Sequence, residues 1–183
     1  LSRAQRDDLD VELGIIEPQE IVKSLKTTYD VEAKQKGLEL ITEVVGTVRT
    51  VVSSKLYVDE ILQNFVTNAL KYTRSGSITV RVTQAEGGIL FSVIDTGIGI
   101  SKTDQKKLFD KFFRSEDYRT RESSGTGLGL YVTLKLAKKI KARISVESEI
   151  NKGSPVNLFV PSAQADNRHE VTESQIGQFI DQV

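Results

Sequence analysis

Three stretches of this sequence carry residue types at spacings that can do chemistry. The first is the run from Asp59 to Thr73, which holds Asn64 and Asn68 four residues apart. Wound as an α-helix, it places Val58, Leu62, Val66 and Ala69 along one side, flanked by Ile61, Phe65 and Leu70. Glu60, Asn64, Asn68 and Lys71 fall on the opposite side. Asparagine is a poor helix former, and solubility alone needs only lysine or glutamate there. The amide pair is therefore either a solvated, locally bonded face or a functional one. The second stretch is Asp95-Thr96-Gly97-Ile98-Gly99-Ile100. An ionised carboxylate only accepts hydrogen bonds, so Asp95 suits an exocyclic amino group such as that of adenine, with two glycines letting a ligand lie close. The same residues equally describe a tight Asp-x-Gly turn. The third is Gly125-Thr126-Gly127-Leu128-Gly129-Leu130, whose glycines lead into a helix and present free backbone N–H groups, an arrangement that favours phosphate. It has neither the spacing of a dinucleotide-binding turn nor the Gly-Lys-Ser/Thr of a Walker loop. Phe112-Phe113-Arg114 reads first as core followed by a basic residue that is either solvated or within reach of a phosphate.

Elements must position these residues. Glu17-Pro18 opens a helix that runs to Lys36, with Ile21, Val22, Leu25, Tyr29 and Ala33 at helical spacing and Gly37 as the stop. Leu38 to Val45 and Val48 to Ser53 are rich in β-branched residues, and the sequence predicts that they pair around Gly46. Ser77 to Gln84 alternates as a half-buried strand, and Glu86-Gly87-Gly88 turns it into Ile89 to Ile94, which delivers Asp95. Lys102 to Phe113 reads as a short helix and Ser115 to Ser124 as a polar loop. The third glycine stretch opens a helix to about Ile140, and Arg143 to Ser148 and Val156 to Val160 form the last strands. Lys135, Lys138, Lys139 and Lys141 read as a solvated helix end. His169, in a polar tail, reads as neither ligand nor catalyst.

Composition narrows the function classes. The chain has 183 residues, 38% of them apolar, enough to bury a core. Its 25 basic and 25 acidic residues balance, so no bulk field invites nucleic acid or an anionic membrane. One histidine and no cysteine remove a Cys–His zinc site, a disulfide framework and a cysteine nucleophile. No apolar run reaches membrane-spanning length and nothing at the start resembles a signal peptide. The expected organisation is the end of an upstream helix and a linker over 1–16, one domain over 17–162, and a polar tail over 163–183. A start at Leu1 rather than Met reads as a piece of something longer.

In their order and spacing these stretches resemble the ATP-binding catalytic domain of sensor histidine kinases, within the group that includes gyrase, Hsp90 and MutL. Asn64 to Thr73 resembles that family's N box, Asp95 to Ile100 its first glycine box, Leu108 to Arg114 its phenylalanine box and Gly125 to Leu130 its second glycine box. The likeness covers roughly Pro18 to Pro161. The fold it implies is α+β: a two-layer α/β sandwich of the Bergerat type, a mixed sheet packed on about three helices. It implies ATP and Mg²⁺ as cofactors, with Asp95 on the adenine amino group and Gly97, Gly99 and Ile100 around the base. Asn64 and Asn68 would hold Mg²⁺, and Lys71 and Tyr72 would contact phosphate and nucleoside. Phe113 and the run Gly125, Thr126, Gly127, Leu128, Gly129 and Leu130 would border the nucleotide. Arg114 would reach the terminal phosphate, with Ser115 to Ser124 as a lid. Glu60, one turn before Asn64, is a candidate base for the acceptor imidazole.

The implied reaction is phosphoryl transfer from ATP to a histidine on an upstream dimerisation hairpin. A response-regulator receiver domain would be the onward partner and a cytoplasmic homodimer the parent, with or without a membrane anchor. ATP-hydrolysing relatives carry a glutamate base where this chain has Asn64, and an amide cannot take a proton from water, so transfer is favoured over hydrolysis. The chain departs from the pattern at Ser154-Pro155-Val156, where proline removes a hydroxyl and a backbone donor. A nucleotide-binding scaffold, a serine kinase of the anti-sigma type and a gyrase-type ATPase are the competing readings.

Overall fold

The computed structural model describes residues 11–96, 126–146 and 155–162, with backbone alone over 126–131. In chain order the elements are β1 (Gly14–Ile16), α1 (Pro18–Gln35), β2 (Leu38–Val45), β3 (Val51–Ser53) and α2 (Lys55–Tyr72). Then come β4 (Gly76–Ala85), β5 (Gly88–Asp95), α3 (Thr126–Lys139), β6 (Arg143–Val146) and β7 (Val156–Pro161). The expected α+β sandwich is what forms. Five strands in the order β2-β4-β5-β7-β6 make one mixed sheet, and α1, α2 and α3 supply the helical layer.

Local chemistry explains the helices. Pro18 sits at the start of α1, where its missing N–H costs nothing. Gly37 ends the helix at φ 73°, a conformation that glycine adopts without strain. Ser54 caps α2, its Oγ accepting from the Tyr57 N–H at 3.2 Å. One face of α2 is buried through Val58, Ile61, Leu62, Phe65, Val66 and Leu70. At its far end the Lys36 ammonium donates to the Leu70 carbonyl at 3.3 Å, tying α1 to the last turn of α2.

Against this layer lies one face of the sheet. Ile78, Val80 and Val82 of β4 stand opposite Asp95, Val93 and Phe91 of β5, and Phe91, Ile89 and Val93 stand opposite Leu158, Val160 and Val156 of β7. Apart from Asp95 the set is apolar and, except for the partly buried Val156, almost wholly buried. The outer face carries a polar row at one register: Glu43, Arg81, Ser92, Asn157 and Ser145, one from each strand. Arg81 Nε meets Glu43 Oε2 at 2.6 Å, Ser92 Oγ donates to Asn157 Oδ1 at 2.6 Å, and Asn157 Nδ2 lies 3.4 Å from Ser145 Oγ.

The pairing expected around Gly46 does not form. β2 runs parallel to β4, Leu38 opposite Gly76 and Val45 opposite Thr83, with α2 inside the crossover. The chain after Gly46 instead reaches the end of β4, where the Arg49 N–H donates to Gln84 Oε1 at 2.8 Å. β3 then pairs antiparallel with β1, Gly14 opposite Ser53. That brings Gly14–Ile16, assigned from sequence to the linker, into the fold with Ile16 buried. The reason is burial: parallel pairing puts Leu38 and Leu40 beside Ile78 on the helix-covered face.

Gly88 sits in close contact with β7. A Cβ there would run into the Val160 carbonyl oxygen and lie 2.9–3.0 Å from the Phe159 ring. Because backbone cannot move aside as a side chain can, Gly88→Ala is expected to destabilise the domain by about 1–3 kcal/mol, seen as a lower urea midpoint at unchanged slope.

Candidate functional site

The polar edge of α2 is where the sequence places it. Glu60 and Lys71 are exposed and Asn64, Asn68 and Tyr72 are half-buried, with the Lys71 ammonium 5.5 Å from the centroid of the Tyr72 ring. Asp59, next to that edge, has its carboxyl raised above the usual range by burial, against the opposing pull of Lys55. No group of three or more His, Cys, Asp and Glu side chains clusters for a metal among the described residues. A hard cation at this edge would therefore rest on neutral amide oxygens, water and a bound anion.

Asn64 is not a solvated amide. Its Nδ2 donates to Thr133 Oγ1 on α3 at 2.6 Å, across 69 positions of sequence. Thr133 is fully buried. Sequence reasoning missed it, although a signal is there: Thr133, Ala137 and Ile140 are buried at helical spacing, so a hydroxyl stands in an otherwise apolar stripe.

Asp95 ends β5 on the helix-facing side, 4% exposed, opposite Ile78. The next residue is held from two directions. The Thr96 N–H donates to the Ser77 carbonyl at 3.1 Å, and Thr96 Oγ1 lies where a Cβ on Gly76 would stand. Gly76 itself has φ 100°, so both strain and space call for glycine there. These contacts join the segment leaving α2 to the strand end that carries Asp95. Thr73, the C-terminal cap of α2, keeps a buried Oγ1 without a hydrogen-bond partner among the described residues.

Thr126, Gly127, Leu128, Gly129 and Leu130 occupy the opening turns of α3, which begins at Thr126 and packs against α2. Gly97, Gly99, Ile100, Phe113, Arg114 and Gly125 lie outside the described residues, as do the expected 102–113 helix and 115–124 loop. Pro155 is half-buried just before β7. No helix among the described residues is long and apolar enough to cross a membrane.

A mixed sheet with its helical layer on one face, an amide-bearing helix edge and a buried carboxylate at a strand end define a recognisable class. The model of the family described as histidine kinase-, DNA gyrase B- and HSP90-like ATPases matches residues 54–164. The chain belongs to this family, as an ATP-binding catalytic domain of the sensor histidine kinase type. It is 31% identical over 165 residues to the autoinducer 2 sensor kinase/phosphatase LuxQ of Vibrio cholerae, covering 87% of this chain and 19% of LuxQ. It is 36% identical over 139 residues to the aerobic respiration control sensor protein ArcB of Escherichia coli, covering 74% of this chain and 18% of ArcB. The chain thus spans under a fifth of each. Among solved structures, the catalytic domain of histidine kinase ThkA superposes with a TM-score of 0.65 at 18% identity, over 83% of this chain and 97% of that one. Full-length ShkA in complex with AMPPNP gives 0.66 at 24% identity, over 84% and 32%. These two likenesses show the fold.

Proposed function

We propose that this domain binds ATP with Mg²⁺ and transfers the γ-phosphoryl group to a histidine on a dimerisation hairpin of its parent protein. A response-regulator receiver domain then takes the phosphoryl group. The observation that carries the reading is Asn64, an amide on the polar edge of α2 tied through its own nitrogen to Thr133; by the family resemblance, hydrolysing members of the group carry a glutamate at this position. It cannot deprotonate water.

The residues present fit both cofactors. Asn64 and Asn68 offer amide oxygens from one edge of α2, and Asp95 offers a buried carboxylate suited to an adenine amino group. Bound Mg²⁺ supplies charge neutralisation at the phosphates. Lys71, exposed beside Asn68, adds a positive charge to the same edge, and Tyr72 covers the nucleoside side. By the family resemblance, Gly97, Gly99 and Ile100 would border the base and Phe113 the nucleotide, Arg114 would meet the terminal phosphate, and Gly125 to Leu130 would offer backbone N–H groups to it. The chemistry is a displacement at phosphorus: the imidazole nitrogen–phosphorus bond forms and the bond to the leaving ADP oxygen breaks. The imidazole proton passes to a base, for which Glu60 is the candidate. Catalysis rests on positioning and electrostatics. The reaction uses cytoplasmic ATP, and the working parent is a homodimer.

The test supplies the full chain with labelled ATP, Mg²⁺ and a separately purified dimerisation hairpin from a sensor kinase. Label should appear on the hairpin in acid-labile, alkali-stable form, with phosphate release near background when the hairpin is withheld. Brisk phosphate release without an acceptor, or acid-stable label on serine, would overturn the proposal.

A further inference from the structure

A planar amide has two different ends, and only one of them can ligate a cation. In Asn64 the nitrogen end is committed to Thr133 Oγ1 at 2.6 Å. Nitrogen and oxygen diverge from the same carbon, so the carbonyl oxygen is turned away from Thr133. Thr133 is suited to enforce this. It is fully buried, on the stripe of α3 that continues through Ala137 and Ile140, so its side chain is held by packing. Its hydroxyl accepts the amide N–H and can send its own proton elsewhere. An unanchored amide at a half-buried position would flip between two orientations, one presenting nitrogen where a cation requires oxygen.

We infer that Thr133 is a positioning residue: it fixes the Asn64 amide so that the carbonyl oxygen, and not the nitrogen, is offered to Mg²⁺ on the nucleotide. The inference rests on the reading of Asn64 as a Mg²⁺ ligand. It also gives the contact between α2 and α3 a chemical purpose beyond packing, since one hydrogen bond makes the metal-binding orientation of a residue on α2 depend on the seating of α3. Orienting partners of this kind typically tune metal affinity without touching the metal.

The test uses the full chain, the ATP analogue AMPPNP, and calorimetry with Mg²⁺ or with EDTA. Thr133→Val keeps the shape and removes the hydroxyl. It should cut the Mg²⁺-dependent gain in affinity by about tenfold while leaving metal-free affinity within about twofold of the parent chain. Thr133→Ser, which restores the hydroxyl, should recover most of the gain. In nucleotide-free protein, the Asn64 side-chain NH₂ resonances should be exchange-protected in the parent chain and in Thr133→Ser but not in Thr133→Val. Circular dichroism confirms that both variants fold. An unchanged Mg²⁺-dependent gain in Thr133→Val would overturn the inference. So would an equal loss with and without Mg²⁺, which would make Thr133 a packing residue only. A parent chain whose affinity is indifferent to Mg²⁺ would overturn the metal reading of Asn64 itself, and this outcome is distinguishable because it needs no variant.

Discussion

Asp95→Asn is expected to weaken ATP binding by about 1.5–3 kcal/mol, or roughly 10- to 150-fold. Asp95 is 4% exposed, on the helix-facing side of the sheet. A carboxylate there only accepts, and it would meet an amino group with charge as well as geometry. Asparagine keeps the size but loses the charge, and it can turn a donor towards the adenine donor. The strand itself should persist, because the Asp95 backbone pairing with Ile78 does not depend on the side chain. Titration of both proteins with ATP and ITP is the decisive measurement. ITP lacks the 6-amino group, so the substitution should matter much less for it. Unchanged ATP affinity, or an equal loss for both nucleotides, would remove Asp95 from adenine recognition.

Asn68→Ala is expected to lower Mg²⁺-dependent transfer to a supplied hairpin by on the order of 10²–10³-fold, the scale seen when one preorganised electrostatic partner of a transition state is deleted. Asn68 is half-buried, one helical turn beyond Asn64 on the same edge of α2. Its removal leaves Val66, Leu70 and the rest of the buried face untouched, so stability should change little. Thermal unfolding separates a lost ligand from a lost fold. A rate within a few per cent of the parent would refute the metal role.

Much of the fold was legible in the residues because the signals were local. The stripe of α2 and the alternation of β4 are periodicities that any window along those segments reveals. The stop at Gly37 and the turn at Glu86-Gly87 are matters of one or two residues. What failed was pairing between distant segments. Leu38 to Val45 and Val48 to Ser53 look like hairpin partners because both are rich in β-branched residues and close in sequence. Yet parallel strands meet only across a long crossover, and nothing within β2 points to β4. At three residues, β1 and β3 are too short to show alternation. The site divides along the same line. Asn64, Asn68 and Asp95 stood out by residue type and spacing. Thr133 did not stand out, being one hydroxyl in an apolar stripe whose partner lies 69 positions away.

The polar row on the outer face bears on the opposite face of the sheet. Side chains alternate along a strand, so a slip of one residue in β5 would exchange its faces completely. Ser92 would turn into the apolar layer, Phe91 would leave it, and Asp95 would point away from the helices. The ladder from Glu43 through Arg81 and from Ser92 through Asn157 is satisfied in the observed alignment, and a one-residue slip of β5 would break its Ser92–Asn157 link. It acts as a register lock, a device of specificity more than of stability. Which way Asp95 points is thus decided partly by side chains that no nucleotide on the helical side would touch.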